Sequence, residues 1–134
     1  MLMRNTVGLI AAAGLVFMST NAAAESISTH VLDLARGVGG ANVPVTLEIK
    51  QADGTWKTIG TARTDENGRV REFGDMKVEQ ATYRLSFDIS QYGDTGQPAF
   101  FPEIDVVFQV PDANLHYHVP VVVSPYGYST YRGN

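Results

Sequence analysis

Two histidines near the end of the chain, His116 and His118, are separated by one residue and lead a β-branched run, Val119 to Val123, interrupted by Pro120. Segments rich in Val and Tyr favour extended backbone. Alternation along a strand then puts both imidazoles on one face, roughly 7 Å apart. The third histidine, His30, stands in Ser28-Thr29-His30-Val31, and Arg69 follows directly on Asn67-Gly68. A lone strand histidine usually needs no function, and an arginine after Asn-Gly is ordinarily a solvated turn residue. The paired imidazoles differ, because a strand of Val and Pro gains little from two adjacent polar rings.

Two chemistries fit three histidines in a chain without cysteine. One is a three-imidazole metal site, with His116 and His118 from one strand and His30 from another, leaving a coordination position open. The other is metal-free acid–base work, since imidazole titrates near neutrality and can take a proton from water. That route also needs a positive group for developing oxyanion charge, and Arg69 can supply it. Covalent catalysis is disfavoured: there is no cysteine, and no serine stands in a nucleophile-elbow context. Gly37-Val38-Gly39-Gly40 precedes an extended segment and not a helix, so it is not a phosphate loop.

The elements that must position these side chains are strands. Val45, Leu47 and Ile49 alternate with Thr46, Glu48 and Lys50 over Val43 to Lys50. Tyr83, Leu85 and Phe87 do the same over Thr82 to Asp88, as do Ile104, Val106, Phe108 and Val110 over Glu103 to Val110. Strict period two predicts strands with one buried face. Ile27 to Leu34 and Trp56 to Ala62 are further strands, and Ala52-Asp53-Gly54 and Asp65-Glu66-Asn67-Gly68 are turns. Val70 to Gln80 reads as a short strand and a loop, Ile89 to Gln97 as a segment with one helical turn closed by Gly93 or Gly96. Short strands with turns every 8–12 residues predict one all-β antiparallel sandwich.

The first residues read as a leader and not as part of the fold. Arg4 precedes an apolar run from Val7 to Met18, and Ala22-Ala23-Ala24 is a small-residue cleavage site. The run is shorter than the roughly 20 residues a membrane-spanning helix requires. The expected division is residues 1–24 as a cleaved signal peptide and 25–134 as one domain, exported and placed in the periplasm. The whole chain carries a formal charge of -4; without Arg4, nine cations face fourteen carboxylates, a balance of -5. That disfavours nucleic acid as a partner, and an anionic membrane surface once the leader is removed. It allows a small anionic ligand at a local positive patch.

The run His116-Tyr117-His118-Val119-Pro120, with Ser124-Pro125-Tyr126-Gly127-Tyr128-Ser129-Thr130-Tyr131-Arg132-Gly133, resembles the C-terminal motif of the 5-hydroxyisourate hydrolase family, the transthyretin-related enzymes. Ser28 to Asp33, Thr64 to Arg69 and Phe101 to Ile104 agree with the same family, in order along the chain. The resemblance implies a transthyretin-like eight-stranded sandwich with one short helix, assembled as a homotetramer, a dimer of dimers with a central channel. It implies hydrolytic ring opening of 5-hydroxyisourate, with no metal and no organic cofactor. Carried over residue by residue, the catalytic positions fall on His30, Arg69 and His118. Substrate contacts fall on His30, Arg69, Tyr131 and Asn134, and His116 is a supporting member of the motif. The family pattern closes Tyr-Arg-Gly-Ser, whereas this chain has Tyr131-Arg132-Gly133-Asn134; the Asn134 amide replaces a hydroxyl with a donor and an acceptor. The alternative within the same fold is a non-catalytic small-molecule carrier, which would want an apolar channel lining.

Overall fold

The computed structural model describes residues 13–14, 26–93 and 98–134. The expected signal peptide therefore lies outside the described residues except at 13–14. Ten strand segments follow one another: β1 (Ile27–Asp33), β2 (Val38–Gly39), β3 (Pro44–Lys50), β4 (Trp56–Arg63), β5 (Arg69–Val70), β6 (Ala81–Asp88), β7 (Glu103–Val110), β8 (Tyr117–His118), β9 (Val121–Ser124) and β10 (Gly127–Thr130). They form two sheets. One runs β4-β3-β6-β7, antiparallel throughout; the other runs β10-β9-β1-β2, with β5 and β8 also pairing to β1.

Period two in the sequence becomes the core directly. Val45 and Leu47 of β3, Tyr83, Leu85 and Phe87 of β6, and Ile104, Val106 and Val110 of β7 are buried in one cluster with Val31 of β1 and Val121 of β9. Burying each such side chain contributes roughly 1.5–3 kcal/mol relative to exposure. The alternate residues of the same strands face outward, where Arg84 forms a bidentate pair with Glu48 at 3.0 and 2.7 Å. Phe108, on the inward phase of β7, is only half-buried and stacks on Tyr83 at 6.0 Å. The Tyr83 hydroxyl, buried with its ring, donates to Glu79 O at 3.0 Å and accepts from Glu79 N at 2.8 Å.

Two expectations are corrected. The β10-β9-β1-β2 sheet is not wholly antiparallel, because β1 runs parallel to both β8 and β9. The final segment returns from far along the chain and lies beside β1 in the same direction. Pro120, which has no N–H to donate, falls in the gap between β8 and β9. The expected helical turn is also absent among the described residues: 89–93 form a turn closed by Tyr92 N–H on Ile89 O at 3.0 Å, and 94–97 lie outside the description. The Asp88 carboxylate accepts from Ser90 N–H at 3.0 Å and from the Ser90 hydroxyl, the bond an N-cap makes, but no helical turn follows within the described residues.

β1 is the spine of the site. Leu32 and Asp33 pair with β2 on one edge and β9 on the other, while Ile27 to His30 take up β8 and β5. Thr29, fully buried on the core-facing phase, donates its hydroxyl to Val119 O at 2.6 Å and ties β1 to the chain between β8 and β9.

Candidate active site

Ser28 and His30 are two apart on β1 and so share a face. The pairing registers do the rest: Ser28 lies opposite His118 in the parallel β1–β8 pair, and His30 lies opposite Arg69 in the antiparallel β1–β5 pair. Directly opposed residues project to the same side of a sheet. Residues far apart in sequence are thereby collected on one face of one sheet, with His30 and Arg69 next to each other and His118 one register step away.

Arg69 is aimed by the turn before it. Asp65 accepts from the N–H groups of Asn67 and Arg69, each at 2.9 Å, and the Asp65 N–H donates to Arg69 O at 2.9 Å. These backbone N–H groups, Arg69 first, hold the Asp65 carboxyl below its usual range. Gly68 has φ +81°, and a side chain there would place its first carbon 2.4 Å from Val31 O. Only glycine lets the turn press this closely on β1. The neighbouring Thr64 is buried, accepting from Val43 N–H at 2.8 Å and donating to Gly40 O at 2.6 Å.

The turn also orients His30. Its Nε2 lies 2.8 Å from Asn67 O. A carbonyl only accepts, so Nε2 carries the proton and neutral His30 is bare at Nδ1. His118 is held on two sides. Its Nδ1 lies 2.7 Å from the Ser28 hydroxyl, and its backbone carbonyl accepts from Gly133 N–H at 2.8 Å. Gly133 abuts the ring so closely that a side chain's first carbon would stand 2.6 Å from His118 Cδ2. Burial pushes the His118 imidazole below its ordinary pKa, and the positive Arg69, then His116 and His30, act in the same direction. Both effects favour the neutral ring, the form in which an imidazole can act as a base.

A cleft of about 520 Å³ opens over this face, lined among others by Ser28, Arg69, His116, His118 and Asn134. His116 is exposed, and its ring lies 6.4 Å from that of His118 with the planes 13° apart, close to the spacing expected from the strand. Among the described residues no three His, Cys, Asp or Glu side chains converge as a metal-binding group, so the three histidines do not assemble the ligand set that a three-imidazole site requires.

A family model described as "Transthyretin: HIUase/Transthyretin family" matches residues 27–133. This chain belongs to the HIUase/Transthyretin family. A "5-hydroxyisourate hydrolase" of Salmonella typhi is 40% identical over 119 residues, covering 87% of this chain and 87% of the relative. The solved 5-hydroxyisourate hydrolase of Klebsiella pneumoniae superposes with a TM-score of 0.68 at 26% identity, covering 81% of this chain and 99% of that one. Transthyretin from Sparus aurata superposes with a TM-score of 0.74 at 28% identity, covering 81% and 97%. The transthyretin-like sandwich expected from the motifs is the fold observed.

Within this family member the expected site residues do not all meet in one chain. His30, Arg69, His116, His118 and Asn134 are gathered on or beside the cleft, whereas Tyr131 is 53% exposed and is not among the residues lining it. The adjacent Arg132 instead packs its guanidinium over the Tyr117 ring at 5.1 Å, anchoring the tail that carries Gly133 to His118. Sequence reasoning missed Ser28, although period two on β1 places it on the face of His30. It also missed Gly133, whose contact with His118 has no local signature.

Proposed function

We propose that this chain hydrolyses 5-hydroxyisourate to 2-oxo-4-hydroxy-4-carboxy-5-ureidoimidazoline, a step of urate breakdown, by metal-free attack of water. The observation that carries this reading is the placement of His118, oriented by Ser28 and with its charged form disfavoured, in a cleft with Arg69 and beside His30. With Nδ1 engaged by Ser28, His118 presents Nε2 as the nitrogen that takes a proton from water. His30 holds the same water through its bare Nδ1. The hydroxide equivalent adds to the ring carbonyl next to a ring nitrogen. Arg69 binds the anionic substrate and stabilises the oxyanion of the tetrahedral intermediate. Collapse breaks the C–N bond as the departing nitrogen takes the remaining hydroxyl proton of the added water, leaving a carboxylate.

Tyr131 and Asn134 are assigned substrate contacts, and His116 a supporting place. A carrier of hydrophobic ligands is the weaker reading, because two imidazoles, two guanidinium groups, a carboxylate and an amide line the cleft where an apolar wall would be needed. The test is decay of freshly generated 5-hydroxyisourate, followed by absorbance with and without exhaustive chelation. Accelerated decay that survives chelation is expected. Decay at the uncatalysed rate overturns the hydrolase reading, and activity lost with chelation overturns its metal-free form.

Export to the periplasm with cleavage after Ala24, and assembly as a homotetramer built from two dimers, belong to the same proposal. Open edges support the assembly: β7 and β10 each end a sheet, and Val107, Tyr126 and Tyr128 are exposed there or nearby. Unpaired strand edges are templates for further pairing. In a tetramer, Tyr131 of one chain can face the cleft of another. Mass spectrometry and light scattering on protein from a periplasmic extract check both points: a chain beginning at Glu25 and four chains per particle are expected. An uncleaved chain refutes the first, and a stable monomer the second.

A further inference from the structure

We propose that Ser26, His116, Ser28 and His118 form a proton relay that carries the proton taken from the attacking water out to solvent, with Ser28 and His116 as its positioning residues. The inference rests on the hydrolase reading above and assigns the exit route that reading leaves open. Opening a cyclic amide bond to a carboxylate and an N–H, while the rest of the substrate keeps its protonation, releases one net proton per turnover. It must leave a base that burial and a nearby guanidinium both discourage from staying charged.

The side chains are linked without a gap. Ser26 Oγ lies 2.5 Å from His116 Nδ1, Ser28 Oγ lies 3.1 Å from His116 Nε2, and Ser28 Oγ lies 2.7 Å from His118 Nδ1. Ser28 is 7% exposed and holds a single hydroxyl proton between two imidazole nitrogens. It can donate to one and accept from the other, so the chain has two polarities. In the first, His118 Nδ1–H donates to Ser28, Ser28 donates to His116 Nε2, and His116 Nδ1–H donates to Ser26. His118 Nε2 is then bare and able to act as a base. In the second every bond is reversed, and Nε2 carries the proton.

Proton transfer converts one polarity into the other. When His118 Nε2 takes a proton from water, the ring holds protons on both nitrogens. The Nδ1 proton then moves to Ser28 Oγ as the hydroxyl proton moves to His116 Nε2. The Nδ1 proton of the exposed His116 leaves through Ser26 to bulk water or buffer. No bond other than O–H and N–H changes, and one proton has crossed from cleft to surface. The starting polarity returns after product leaves: the His118 Nε2 proton passes to water in the emptied cleft, and a proton from solvent re-enters at Ser26 and runs through His116 and Ser28 to His118 Nδ1. The relay thus discharges the imidazolium during attack, and the net proton is lost at the reset. A histidine acting only as packing would need neither the buried serine between the rings nor a second serine on the far nitrogen.

The experiment uses the full domain with Ser28→Ala and His116→Ala, assayed on 5-hydroxyisourate in dilute phosphate, in H2O–D2O mixtures, and with added imidazole. Both variants are expected to lose kcat, on the order of 10²-fold, the low end for a positioned acid–base group, with KM little changed. Free imidazole restores His116→Ala, whose ring is exposed, and not Ser28→Ala, whose gap is buried. The curved proton inventory of the parent becomes linear in both. Variants that turn over like the parent overturn the relay. So does a loss of rate with no imidazole rescue and an unchanged inventory, the signature of a merely structural role. Nitrogen-15 NMR of the parent's imidazoles gives an answer that needs no variant to fold: neutral His118 protonated on Nδ1 is expected, and protonation on Nε2 refutes the relay. A parent without activity removes the hydrolase reading instead, and the tautomer then decides the relay geometry alone.

Discussion

Replacing His118 with Ala is expected to lower turnover of 5-hydroxyisourate by about 10²–10⁴-fold, the range a positioned general base contributes. The loss falls on kcat, because the ring acts on water and the guanidinium of Arg69 remains to bind substrate. The fold tolerates the change. The backbone carbonyl of His118 keeps its bond from Gly133 N–H, and the ring is only partly buried. His30→Ala is expected to lose rate as well, by releasing the water and the Asn67 carbonyl that orients the ring. The two losses should not add fully, since both residues act on one water. Parent-like turnover in both variants would remove the assignment.

Those two histidines differ in how far sequence could place them. Alternation put His116 and His118 on one face before any pairing was known, because period two is local. The same rule made β3, β6 and β7 legible, and Leu47, Leu85 and Ile104 are buried as their phase requires. Nothing local says that Arg69 lies opposite His30 or that His118 lies beside Ser28. Those neighbours are set by strand pairings between distant segments, which depend on how the whole chain closes. Recognition of the motifs supplied the residues and their roles, and the β1 registers supply the proximity. Parallel pairing of β8 and β9 to β1 was hidden for the same reason. The expected helical turn after Asp88 is not found among the described residues, where the chain instead closes a turn with Tyr92 N–H on Ile89 O. Tyr131 is the expected site residue that does not line the cleft, and nothing local in its motif signals that.

Arg69→Gln separates the two jobs proposed for one guanidinium. As an oxyanion donor its removal is expected to cost about 10²–10³-fold in kcat/KM, or roughly 3–4 kcal/mol of transition-state stabilisation. As a charge it helps hold His118 below the ordinary imidazole value near 6.5. A positive neighbour disfavours imidazolium, so removing it lets His118 protonate at higher pH. The active form is the deprotonated one, and the acid limb of the kcat/KM profile should therefore move upward in pH. Burial, the larger cause of the depression, remains, so the shift stops short of the ordinary value. Gln keeps the backbone N–H and carbonyl that bind Asp65, leaving the turn intact. Arg69→Lys retains the charge without the planar fork: its limb should stay near the parent's while its rate recovers only in part. A full-rate Arg69→Gln enzyme with an unmoved limb would mean that the substrate's charge is met elsewhere and that Arg69 only caps its turn.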